Sequence, residues 1–501
     1  MSNPISHLER ARLGLRACCR TRYLLPALLL LGAAARVRQY LAVTSYWHDE
    51  AYLLLNVFPK SFIALVGPLS HEQAAPPLFL WFLRICYLVA GPTELAMRFP
   101  ALLASLAALV LLVPLARVVV GRGWLWAVAC AAVSSSLLYL TYQVKPYTTD
   151  VLVAEIVVLA TVCCLDSRVP RKTRRAGRLG LLLAALIGPW LSFPSVFVLG
   201  GACLALAGAA VSRRIGPSSA GWKYPCGVAT LLVSSCLLVW WVAARHHNTP
   251  YQQTFWQAEF VDLSSVGAAL GWLAGKCIEA GNYGVQGTGI PMALLAAAGL
   301  ARCTRQRPWL AIALAAPAML ACCAAALRHY PLGNRLLAFL LPCLWLLAAQ
   351  GMALVTSYLR PRAGWLAAAL PVVVLLPAGI YTARYAVVAK PSVEFRQAFA
   401  YLNGRMREGD TLWLTQPEVY QVYFGRRPNV LDAKSSRDNL VEAARRGRVW
   451  MVCHPPASQN AQSATARRHI ESCGARESDR LEFVHLDVSI FTPPASMLAA
   501  D

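Results

Sequence analysis

The chain has 501 residues, 57% hydrophobic and only 14% charged, with a mean hydropathy of +0.49. Soluble domains carry about 25% charged residues, so the composition excludes an ordinary soluble globular protein and points to a helical chain that crosses the bilayer repeatedly. The formal net charge of +23 does not indicate nucleic acid, because the basic residues gather in short loops between apolar runs: Arg10–Arg22, Arg117–Arg122, Arg168–Arg178, Arg213–Lys223, Arg302–Arg307 and Arg360–Arg362.

Those loops follow the positive-inside rule, which places each of them in the cytoplasm and fixes the path of the chain. The first apolar run, Tyr23–Val43, lacks a small-residue cleavage site and reads as an uncleaved span leading outward. Ala51–Leu65 reads as an amphipathic interfacial helix. Pro76–Ala90 is apolar but short. If it crossed, Arg117–Arg122 would fall on the wrong side, so it is expected to be interfacial or re-entrant. Further spans are expected at Leu95–Ala116, Trp124–Thr141 and Tyr147–Leu165. Leu179–Val211 begins and ends at basic loops and must pass twice, with the hairpin at Pro189–Pro194. Tyr224–Ala244, a long outer loop His246–Val285, and spans at Gln286–Ala301, Trp309–Leu327, Leu336–Ser357 and Gly364–Thr382 complete the membrane part. The fold class is thus a polytopic α-helical membrane protein of about eleven spans, with outer-face interfacial helices, the N-terminus inside and the C-terminus outside.

Composition changes near Lys390. A helix at Glu394–Met406, a strand from Thr411, a helix at Pro417–Phe424 and strands at Val449–Cys453 and Phe483–Phe491 predict a small α/β domain, with Ala457–Ala466 as a flexible loop. The expected division is a membrane domain over residues 1–382 and a periplasmic domain over residues 383–501. Most of the 16 cysteines sit in apolar runs and read as small hydrophobes. Cys453 and Cys473 lie in the polar tail, where an oxidising compartment would permit a disulfide. No internal repeat stands out.

Four outer stretches concentrate the polar chemistry. Asp49 and Glu50 follow the first span behind Tyr46 and Trp47, and are the candidate catalytic acids. Being consecutive, they cannot share one helix face. The bland alternative is an acidic start to the following helix. His71-Glu72-Gln73 precedes a Pro76-Pro77 helix start, with solvated loop residues as its alternative. Lys145, before Pro146-Tyr147, is a cation on the outer side, suited to a lipid phosphate or else a snorkelling lysine. Arg328–Arg335 places two guanidiniums in an outer turn. Arg335 opens the next span, a costly place for an unpaired charge, and fits a phosphate or a loop acid.

These stretches, Trp47-His48-Asp49-Glu50-Ala51, Gln73–Leu78 with Glu94–Pro100, Lys145-Pro146-Tyr147 and Tyr330–Arg335, resemble the outer-loop motifs of the C-type-fold membrane glycosyltransferases that use polyprenyl-phosphate sugars. That family includes protein O-mannosyltransferases and bacterial lipid A aminoarabinose transferases. The resemblance covers about Tyr23–Tyr423. It departs at His71, which stands five residues before Pro76 where many relatives place His directly before the prolines. The resemblance implies a catalytic Asp49 and a lipid-phosphate site at Lys145 and Arg335.

The expected reaction is inverting transfer of a hexosyl or pentosyl group from a polyprenyl-phosphate donor to a glycan, lipid or protein acceptor, on the periplasmic face of a bacterial inner membrane. Asp49 would act as general base, while Lys145 and Arg335 stabilise the leaving phosphate. Glu50, Glu72 and Gln73 would orient sugar or acceptor, with Tyr147, His329 and Tyr330 completing the substrate-binding set. The acids could hold a divalent metal, though the chemistry does not require one, and no other cofactor is indicated. Membrane lipids are expected partners and nucleic acid is not. No Gly-rich phosphate loop follows a strand. The competing function is a lipid-linked sugar flippase or transporter, which would show inverted repeats and mid-membrane charges. A third is a non-catalytic assembly partner.

Overall fold

The computed structural model describes residues 5–212, 222–246, 249–456 and 459–494, with side chains from residue 23 on, His246 excepted. The side chains of the N-terminal basic stretch, the basic residues of 213–221 and residues 457–458 of the predicted flexible loop lie outside the described residues.

Every predicted span coincides with helix. Six helices are long and apolar enough to cross a membrane: Glu94–Val120, Tyr147–Leu165, Lys223–Val242, Pro308–Ala326, Asn334–Leu359 and Gly364–Val387. Two bent pairs raise the number to eight among the described residues: Trp124–Ala132 with Ser135–Thr141, bent by 50°, and Val266–Gly284 with Gly289–Gln306, bent by 104°. The remaining expected crossings correspond to Ile5–Tyr40, Arg171–Leu191 and the 17-residue Ser195–Val211, the last two joined by a tight turn where the hairpin was predicted. The protein is therefore a multi-pass membrane protein. Pro77–Ala90 is a separate 14-residue apolar helix.

Two membrane-side expectations need correction. The interfacial helix predicted over Ala51–Leu65 runs from His48 to Val57 and stops there. Phe58 still holds helical backbone and donates to the Leu54 carbonyl, but Pro59 has no N–H to continue the ladder, which ends the helix early. The predicted loop His246–Val285 contains the short helix Pro250–Phe255 and the 19-residue helix Val266–Gly284. Five glycines in the latter lower its intrinsic helix propensity and hide it from pattern reading. Ser265 caps it, accepting a hydrogen bond from Ala268 N–H at 3.0 Å. Gly281 earns its place there, since a Cβ would lie 2.5 Å from the Gly289 carbonyl oxygen across the 104° bend.

Beyond Val388 the chain builds a five-stranded sheet of order β2-β1-β3-β5-β4: β1 Thr411–Leu414, β2 Val430–Asp432, β3 Val449–Cys453, β4 Arg476–Phe483 and β5 Leu486–Thr492. Strands β2, β1 and β3 are parallel, whereas β3-β5 and β5-β4 are antiparallel. The single strand predicted at Phe483–Phe491 is in fact the turn and second arm of a β4-β5 hairpin. Side-chain alternation splits the core in two. Leu412, Leu414 and Trp450 pack on helices Phe395–Asn403 and Pro417–Phe424, while Trp413, Val449 and Met451 pack on helices Arg437–Arg446 and Ala461–Glu471. That last helix occupies part of the predicted loop Ala457–Ala466, with Asn460 as its cap. Cys453 is buried and Cys473 half-buried, and both are free thiols.

The first of these cores reaches into the membrane part. Ala51 is one of its members, and helix Pro417–Phe424 packs on helix His48–Val57. Tyr423 is the polar pin: its hydroxyl accepts from Tyr46 N–H at 2.8 Å and donates to Glu94 Oε1 at 2.8 Å. Tyr423→Phe leaves the Tyr46 N–H without its acceptor and Glu94 with only its pairing to Arg396, at about 1–3 kcal/mol. We expect a lower thermal midpoint and faster proteolysis at 388–394 with the helical part still folded. Wild-type proteolysis and midpoint would show that this pin does not secure the tail.

Candidate active site

Helix His48–Val57 is fixed at its start by Glu50. The Glu50 carboxylate accepts from Trp47 N–H at 2.9 Å, closing the first turn on itself, and from Val144 N–H at 2.8 Å. Arg98 supplies two more donors, Nε at 3.0 Å and Nη2 at 2.8 Å, and both side chains are 3% exposed. Arg98 also donates to the carbonyl oxygens of Thr44 and Ser45 at 2.7 and 3.1 Å. One ion pair thereby ties the stretches around residues 44–50, 94–98 and 144.

Because successive residues of a helix lie about 100° apart, Asp49 faces elsewhere. It points into a cavity of about 660 Å³. Lys145 Nζ lies 3.3 Å from Asp49 Oδ1, and Arg335 Nη2 lies 2.6 Å from Asp49 Oδ2. Lys145 donates at 2.7 Å to Gln73 Oε1, and the Arg335 guanidinium stands 5.6 Å over the Tyr147 ring. Burial alone would raise the Asp49 carboxyl, but Lys145 and Arg335 outweigh it and hold the group down at about 2. Burial also lowers Lys145, although Asp49 opposes the shift, and lowers the neighbouring His48.

Eight of the nine predicted site residues line this cavity: Asp49, Glu72, Gln73, Lys145, Tyr147, His329, Tyr330 and Arg335. Glu72 is turned toward residues 249–252, accepting from Thr249 Oγ1 at 2.7 Å through its carboxylate and from Gln252 Nε2 at 2.8 Å through its carbonyl. His71 stacks on Tyr52 with centroids 5.1 Å apart. Both His71 and Glu72 hold left-handed backbone, with φ of 61° and 53°. Tyr330 donates to the Leu336 carbonyl at 2.9 Å, bracing the turn that carries Arg335.

The ninth residue, Glu50, does not reach the cavity, and its oxygens are engaged by Arg98 and backbone N–H groups. Of the two acids it is the one that stabilises the helix start. Sequence reasoning passed over Arg98, although it lay inside the quoted Glu94–Pro100 stretch. Asp150 also lines the cavity, buried in the first turn of the apolar span Tyr147–Leu165. An acid inside a span was the signal for it. An apolar wall including Phe193, Val239, Trp240, Phe255 and Trp256 adjoins the charged end. Among the described residues no three His, Cys, Asp or Glu side chains are placed to hold a metal ion.

The fold has solved counterparts. ArnT from Cupriavidus metallidurans matches in its apo state at TM-score 0.54 and 14% identity, over 96% of this chain and 99% of that one. The same protein bound to undecaprenyl phosphate matches at TM-score 0.54 and 14% identity, over 94% and 99%. The archaeal oligosaccharyltransferase AglB from Archaeoglobus fulgidus, in complex with an inhibitory peptide and a dolichol-phosphate, matches at TM-score 0.50 and 10% identity, over 86% of this chain and 69% of that one. No protein-family profile and no curated protein matches the chain by sequence. At such identities the likeness is one of fold. This multi-pass membrane protein has the C-type fold expected from its outer-loop motifs, and specifically the ArnT-like form of it.

The geometry separates the two acids by role. Glu50→Gln leaves the buried Arg98 charge uncompensated and should cost about 3–5 kcal/mol. Asp49→Asn takes the carboxylate from Lys145 and Arg335 at the wall of an open cavity rather than inside the packing, and should cost less. Thermal unfolding of the two variants in matched detergent distinguishes them, and equal midpoints would contradict the assignment.

Proposed function

We propose that this chain is an integral-membrane glycosyltransferase that moves a sugar from a polyprenyl-phosphate donor to an envelope glycolipid, polysaccharide or protein. The observation that carries the proposal is the Asp49 carboxylate held between Lys145 and Arg335 in one cavity. That set offers a base and two cations for a departing phosphate, beside an apolar wall suited to a lipid. The undecaprenyl phosphate bound to ArnT and the dolichol-phosphate bound to AglB support the same reading.

The electrostatics suggest an order of events. With both cations paired to it, Asp49 is a poor proton acceptor, since a carboxylate at about 2 has little affinity for a proton. A donor phosphate competes for Lys145 and Arg335 and draws them from Asp49, whose basicity then rises. The acceptor O–H or N–H gives its proton to Asp49 as the heteroatom attacks the anomeric carbon. The bond from that carbon to the phosphate oxygen breaks on the opposite side, inverting the configuration. The leaving phosphate takes up the negative charge, which Lys145 and Arg335 stabilise beside the apolar wall. Gln73 holds Lys145 in place, and Glu72, Tyr147, His329 and Tyr330 form the walls against which sugar and acceptor lie.

This function fits a bacterial inner membrane with the cavity and the C-terminal domain, residues 383–501, on the periplasmic side of the membrane domain 1–382. Reporter fusions should read periplasmic after Asp501 and cytoplasmic at Lys172. A cytoplasmic tail would invert the proposed site.

Reconstituted transfer tests the roles. Asp49→Asn should lower turnover by about 10²–10⁴-fold. Its binding of undecaprenyl phosphate should be retained or tightened, because a competitor for the cations is gone. Lys145→Ala and Arg335→Ala should each weaken that binding by about 1.5–3 kcal/mol, the worth of a charge-assisted bond. Full activity of Asp49→Asn would make that acid structural, and unchanged lipid-phosphate binding in both cation variants would remove the phosphate site.

A further inference from the structure

The turn Pro331–Arg335, which presents Arg335 to the cavity, is held from behind by a charged cluster outside the cavity wall. Lys276, on helix Val266–Gly284, bridges the carboxylates of Glu259 and Glu279, the latter at 2.7 Å. The three side chains are 11%, 18% and 31% exposed, so the cluster is largely withdrawn from solvent. Each acid then grips the turn by its backbone. The Glu259 carbonyl accepts from Leu332 N–H at 3.0 Å, and Glu279 Oε1 accepts from Asn334 N–H at 2.7 Å. Between those two bonds lies Gly333, where a Cβ would fall 1.8 Å from Glu259 Oε2. Asn334 itself takes left-handed backbone, with φ of 48°. The turn that aims Arg335 is thus seated on the cluster with no room for a side chain between them.

We infer that Lys276, through Glu259 and Glu279, is a positioning residue for the donor phosphate: it sets the turn that aims Arg335. The inference rests on the proposed contact between Arg335 and that phosphate. Without Lys276 two half-buried carboxylates face each other uncompensated. Their separation would pull on Leu332 and Asn334 from either side of Gly333, and Arg335 would lose its fixed position while keeping its charge.

The test is binding of undecaprenyl phosphate to the full chain in lipid nanodiscs. Lys276→Met should raise Kd about tenfold, corresponding to part of one charge-assisted bond. Lys276→Arg, which can still bridge both acids, should stay within about threefold of wild type. Glu279→Ala, which frees Asn334 N–H, and Gly333→Ala, which displaces Glu259, should weaken binding in the same direction, so the test does not depend on one variant folding. Wild-type Kd in these variants beside a weakened Arg335→Ala overturns the inference, even if their thermal midpoints fall, because the cluster is then only structural. Wild-type Kd in Arg335→Ala removes the phosphate contact itself, and the inference with it.

Discussion

The buried pair of Arg98 and Glu50 is the constraint on which the rest of the site depends. A guanidinium and a carboxylate, each 3% exposed, are tolerable only when their remaining donors and acceptors are used. Here Arg98 takes up backbone oxygens of Thr44 and Ser45, and Glu50 takes up N–H groups of Trp47 and Val144. Satisfying one ion pair therefore brings the end of the first long helix, the start of helix Glu94–Val120 and the residue before Lys145 to one point. Asp49 and Lys145 each sit one residue from a member of this knot, which is why they meet.

The C-terminal domain acts on the same point from the other side. Tyr423, Arg396 and Gln397 contact Tyr46, Glu94 and Ser45, and His454 lies edge-on to Trp47 with centroids 5.0 Å apart. The segment carrying Asp49 is thus clamped between the membrane helices and a folded sheet. Asp49 itself has little freedom to follow a substrate. On the proposed function, rearrangement on donor binding falls instead to the longer cation side chains, Lys145 and Arg335, which reach it from separate stretches.

Much of this was legible in the sequence, for identifiable reasons. Asp49, Lys145 and Arg335 could be singled out because each places a charge at the outer end of an apolar run, where an unpaired charge is costly and so informative. Which of two adjacent acids faced the cavity could not be read, since one residue's difference in the helix start rotates the face by about 100°. Strand β4 was missed because its outward residues are charged, as an exposed edge strand requires, leaving no apolar alternation to detect. Helix Val266–Gly284 was hidden by its glycines, and with it the Lys276 cluster, whose partners Glu259 and Glu279 look in sequence like ordinary loop charges. Those residues gain meaning only from the turn they hold, 55 residues from Glu279 to Asn334 along the chain.

The central claim is that Lys145 and Arg335 exchange Asp49 for a lipid phosphate. A cryo-electron microscopy structure of the full chain with undecaprenyl phosphate in nanodiscs tests it most directly. The phosphate should lie within hydrogen-bond reach of both Lys145 Nζ and the Arg335 guanidinium, with at least one of the two Asp49 ion pairs opened. A phosphate bound elsewhere, with both Asp49 pairs intact, would contradict the claim.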